Sequence, residues 1–104
     1  MLWFKSNKVI DEFSTRLATD FTQRYPPELE NDATRKRNPE RLGKAFDSTF
    51  NRAIDFQRER KLGVYGKARL GNGFRWKLKE LGYPEDLVEL ATKALIHFVS
   101  VQRP

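Results

Sequence analysis

Between Ser6 and Tyr25 the apolar residues Val9, Ile10, Phe13, Leu17, Phe21 and Tyr25 recur every three or four positions. That spacing returns to one side of a helix with 3.6 residues per turn, so it predicts an amphipathic helix over 6–25. Ser6 or Asn7 can cap its first turn, and Asp11 and Glu12 lie early, near the positive end of the dipole. Pro26-Pro27 stops it, because proline lacks the N–H and restricts the residue before it.

A second stripe, Leu42, Ala45, Phe46, Thr49, Phe50, Ala53, Ile54 and Phe56, follows the helix start Asn38-Pro39-Glu40 and predicts a helix over 39–61. Arg58, Arg60 and Lys61 suit its C-terminal turn, and Leu62-Gly63 reads as a stop with glycine left-handed. A third helix is predicted over 84–101, opened by Pro84-Glu85-Asp86. Its residues Leu87, Val88, Leu90, Ala91, Ala94, Leu95, Phe98, Val99 and Val101 cover about half the circumference, which marks it as the most buried element, at the centre of the fold. Between the first two helices, 26–38 is a polar connector with only Leu29 and Ala33 to bury, too little to repay its ordering entropy.

The stretch 64–81 supports two patterns. Asn72-Gly73 followed by Phe74, Arg75, Trp76, Lys77, Leu78 and Lys79 has the turn and alternation of a β-hairpin. Leu70, Phe74, Leu78 and Leu81 also fall on one helical stripe. A lone hairpin is marginal in water and the chain offers no further strand, whereas Gly63 and Gly82 delimit an ordinary helix length. Helix is therefore the expectation. Gly66, Gly71 and Gly73 each cost up to ~1 kcal/mol in a helix, a penalty offset if they admit a neighbour closely. The expected fold is one all-α domain, residues 1–104, of four helices near 6–25, 39–61, 64–81 and 84–101. The alternative is an α+β domain with a hairpin at 64–79.

Charge changes this picture from a fold to a surface. The chain has 104 residues and a net charge of +6, unevenly spread. Residues 1–32 hold four bases and six acids, residues 33–79 fourteen bases and four acids, and residues 80–104 two bases and four acids. A basic middle third favours an anionic partner, nucleic acid first, although a merely solvated face has the same composition. In the helical reading Tyr65, Arg69, Asn72, Trp76 and Lys79 share the side away from Leu70, Phe74 and Leu78. Aromatic rings can stack on bases there while cations meet phosphates. The competing arrangement packs Tyr65 and Trp76 against the first helix or against Leu2, Trp3 and Phe4.

Little in the sequence points to catalysis. The chain has no cysteine, which excludes thiolate chemistry and fits a cytoplasmic setting. Its single histidine, His97, cannot build a multi-histidine metal site, and only Ser100 lies within a turn of it. Gly63-Val64-Tyr65-Gly66 has the G-x-x-G spacing of a KH-type clamp but lacks that fold's strands. No stretch approaches the ~18 apolar residues of a membrane span, and the start carries no basic region of a signal peptide. The expectation is a non-enzymatic binding module with no cofactor or small-molecule substrate. Arg35, Lys36, Arg37, Lys67, Arg69, Arg75, Lys77 and Lys79 would contact phosphates of a nucleic acid, and Tyr65 and Trp76 would stack. The second expectation is an interaction adaptor or homodimer that docks through Leu2, Trp3, Phe4 and Trp76.

Overall fold

The computed structural model describes residues 2–31 and 37–101, with side chains from Asn7 onward within those ranges. Five helices follow one another: α1 Leu2–Arg24, α2 Glu28–Asn31, α3 Pro39–Arg60, α4 Val64–Glu80 and α5 Glu85–Val101. There is no strand among the described residues, and the disputed segment is one continuous helix, α4, so the hairpin alternative is overturned.

Cross-contacts set the helix directions. Asp11 meets Arg69 and Thr22 lies beside Tyr83, so α1 and α4 run the same way. Phe13 stacks on Phe56 and Phe21 on Phe46, which turns α3 opposite to α1. Arg75 meets Glu89, and an atom added at Gly71 would meet Ile96, which turns α5 opposite to α4. The four long helices close a ring in the order α1, α3, α5, α4, so α3 and α4, though consecutive, face each other across the diagonal.

Phe21 is the hub of the core. It is fully buried, with ring centroids of Phe46 and Tyr83 at 5.5 Å, Tyr25 at 6.0 Å and Phe74 at 6.5 Å. Leu17, Leu70, Leu78, Leu87, Val88 and Leu95 complete the interior without exposure. Thr49 and Thr92 bury hydroxyls that find no partner, a cost each helix bears for its packing.

The glycines of α4 show why a helix tolerates them. A Cβ at Gly73 would overlap the Ser14 hydroxyl and come within 3.0 Å of the Ser14 Cβ, and one at Gly66 would lie 3.6 Å from Ile10. Both face α1, so α4 lies against α1 at a separation that a side chain at position 73 would prevent. Gly71 faces α5 instead, where an added Cβ would sit 2.6 Å from the Ile96 side chain.

Four expectations need correction. The first helix begins at Leu2 rather than Ser6, because Leu2 to Lys5 contains no breaker, and Ser6 and Asn7 therefore lie inside it. The left-handed residue after α3 is Lys61, at φ 52° and ψ 53°, while Gly63 is extended and opens α4. The Lys61 N–H bonds the Gln57 carbonyl, so the turn closes before the glycine is reached. Helix α5 is not central: Leu90, Phe98 and Val101 are exposed, since two neighbours cannot cover half a circumference, and α1 with α4 forms the closest pair.

The connector, finally, is partly structured. Leu29 packs on the core, the Asn31 amide donates to the Gly82 carbonyl at 2.8 Å, and the Tyr25 hydroxyl donates to Glu30 at 2.5 Å. Gly82, at φ 98°, supplies the left-handed turn into α5.

Substituting the two tight glycines separates their roles. Gly73→Ala should destabilise by roughly 1–3 kcal/mol, because Ser14 is buried and cannot retreat. Gly71→Ala should cost less or stabilise slightly, because Ile96 is partly exposed and can rotate away while the helix gains about 0.5–1 kcal/mol. Urea unfolding of both variants checks this ordering.

Candidate nucleic-acid interface

Residues of α4 that share a side at 100° per residue share an environment in the fold. Tyr65 is 52% exposed and Trp76 56%, with Asn72 exposed between them, so this side faces water and the packed arrangement of Trp76 does not occur. Arg75 and Lys79 lie to one flank of the indole. The Arg75 guanidinium carbon is 5.8 Å and the Lys79 Nζ 5.3 Å from the ring centroid, within cation–π range. The position one turn before Trp76 on its other flank is Gly73, which offers no side chain.

The predicted bases are less available than their count suggests. Arg69 makes a two-pronged bond to Asp11, both contacts at 2.8 Å, and a third bond to the Tyr65 hydroxyl at 3.0 Å. Arg75 bonds Glu89 at 2.8 Å, and that contact holds the Glu89 carboxyl below its usual value. Lys79 lies 3.7 Å from Glu85, and Lys77 lies 4.0 Å from Glu80. These are partly exposed pairs of small individual worth, so phosphate can compete for the cations, though at the cost of freeing the carboxylates.

Arg37 sits at the same end as Trp76, because it reaches Asp86 while Lys79 reaches the adjacent Glu85. It is held by a forked pair of bonds to Glu30 at 2.7 and 2.8 Å. Burial opposes ionisation of Glu30, but its bonds from Arg37 and Tyr25 prevail and hold the carboxyl below its usual value. Burial, with the bond to Glu30, pushes the Tyr25 phenol up to about 12. Burial likewise raises Tyr83 to about 12, where its hydroxyl donates to the Tyr25 carbonyl.

The structure thus brings together Tyr65, Arg69, Arg75, Trp76 and Lys79 on one side of α4, with Arg37 near its far end. Lys67 and Lys77 fall on the core-facing side by helical register and are half-buried, so they are not part of this stripe. Arg35 and Lys36 lie outside the described residues, as do the side chains of Leu2, Trp3 and Phe4. Sequence reasoning missed the acids that quench the stripe, Asp11 and Glu89, since pairing across 58 and 14 positions leaves no local signal.

Among the described residues no cluster of three or more His, Cys, Asp or Glu side chains is placed to hold a metal ion. No helix there is long and apolar enough to cross a membrane. Comparison with protein families, curated proteins and solved structures found no match.

The buried tyrosines have a consequence at high pH. A raised phenol pKa gives stability that is complete below the unfolded value near 10 and is lost as pH climbs toward 12. Melting temperature should therefore drop across pH 10–12. Tyr25→Phe should lower the plateau slightly yet make that drop shallower, and an equally steep drop would refute the assignment.

Proposed function

We propose that this protein is a small non-enzymatic module that binds an anionic polymer, nucleic acid in the first place. The observation that carries the reading is Trp76: a large aromatic ring, more than half exposed, on a packed helix with two cations against one flank. Exposing an indole forgoes burial worth a few kcal/mol, a cost that a stacking partner recovers at about 1–3 kcal/mol per base. The pI near 9.8 adds long-range attraction for phosphates.

Because Arg69, Arg75 and Lys79 are already paired, their phosphate contacts are exchanges of one anion for another. The reading therefore implies modest affinity that falls with salt. In a Trp3→Phe background the emission of Trp76 should be quenched by a single-stranded oligonucleotide, with recovery as salt rises. Emission indifferent to the oligonucleotide would end the stacking role of Trp76.

A second reading, a protein-interaction adaptor or self-associating chain, draws support from a different observation. Leu90, Phe98 and Val101 leave an apolar flank of α5 in water, and Phe98 is held there by stacking on Phe50 at 5.3 Å. A dimer in sedimentation that dissociates with Phe98→Ser or Trp76→Ala, together with no retention on nucleic acid, would favour it.

A further inference from the structure

Beyond the α4 stripe, the opposite end of the bundle collects cations from three separate helices. Val9 and Ile10 of α1 line a shallow pocket with Phe56, Arg60 and Leu62, and Gly66 of α4 lies against Leu62 and Ile10. Lys8, Arg58, Arg60, Lys61 and Lys67 therefore lie toward one end, with Glu59 between two of them and Glu12 and Asp55 one helical turn from Lys8 and Arg58. None of the five forms an ion pair among the described residues, in contrast to the bases of the stripe.

Folding explains part of this cluster and not the rest. Arg58, Arg60 and Lys61 complement the negative C-terminal end of α3, and Arg60 also rests over the Phe56 ring at 5.8 Å. Lys67 is in the first turn of α4, where the dipole disfavours a cation and no acid offsets it. Lys61 adopts a left-handed backbone that glycine or asparagine would occupy with less strain. Among the described residues Lys8 makes no ion pair. Glu12, Asp55 and Glu59 offset only part of this charge, and an anionic partner would neutralise the rest.

The geometry points to this end as the surface that docks the phosphate backbone of a nucleic acid, with Lys8, Arg58, Lys61 and Lys67 as its contacts. The inference rests on the proposed nucleic-acid reading but moves the phosphate contacts off the quenched stripe. Free cations release counterions on binding without first losing a carboxylate, so they dominate the salt dependence. Stacking on Trp76 adds affinity but releases no counterion of its own.

The test is anisotropy of a fluorescein-labelled single-stranded oligonucleotide titrated with the full chain across a salt series. Lys61→Asn with Lys67→Gln is the test pair, asparagine being chosen to keep the left-handed turn. Lys93→Gln on α5 is the control, and melting curves establish that each variant folds. The test pair should lower the slope of log affinity against log salt by about 1.4, from ~0.7 per phosphate contact on a single strand, while Lys93→Gln leaves it unchanged. An unchanged slope in a folded test pair, with wild-type binding intact, overturns this inference alone. No binding by the wild type overturns it together with the reading beneath it.

Discussion

The contact between α1 and α4 governs the rest of the structure. Gly73 lets the two backbones approach until Ser14 lies directly against α4, with Ile10 in ordinary contact beside Gly66. That approach fixes the rotation of α4 about its own axis, because only the glycine side fits. Leu70, Phe74 and Leu78 then turn inward to the Phe21 hub, and Tyr65 and Trp76 turn outward. The exposure of Trp76 is thus a consequence of the missing side chain at Gly73 on the adjacent face. A glycine-bearing helix that looks poor by propensity is well specified once its neighbour is present.

Charge is organised by the same packing. Placing α4 between α1 and α5 brings Arg69 to Asp11 and Arg75 to Glu89, so acids from both flanking segments quench the basic middle of the chain where it is most visible in sequence. The net positive charge is displaced toward the end formed by the α3–α4 turn. Linear charge density and surface charge density consequently disagree in this protein, and the disagreement follows from helix adjacency.

Most of the architecture was legible because its signals are local. Asn38 caps α3 by accepting from the Arg41 N–H, Pro39 opens that helix, and Gly82 ends α4 in the left-handed region, all readable from a few neighbouring residues. The choice of helix over hairpin at Asn72-Gly73 was also sound, since glycine in α4 serves packing rather than turning. What escaped is non-local or depends on competition between near-equal options. Lys61 takes the left-handed role two residues before the obvious glycine, against what residue type alone favours. The half-buried apolar side of α5 looked central, but burial depends on how many neighbours arrive. The connector looked unordered, yet Glu30 and Asn31 find partners at Arg37 and Gly82 that composition does not announce.

The ring order also has a temporal side. The closest helix pair joins segments 58 residues apart, whereas the consecutive helices α3 and α4 sit across the diagonal and cannot shield each other. A chain emerging from a ribosome could cover α1 with α3 first, but the side of α1 that carries Ile10 and Ser14 would stay unsatisfied until α4 had followed it out. High sequence separation of this kind slows folding relative to a bundle of successive hairpins and lengthens exposure of the α4-facing side of α1. The glycines that make the finished core close-fitting thus belong to the segment that arrives late, and for a nascent chain the missing partner is its own third quarter.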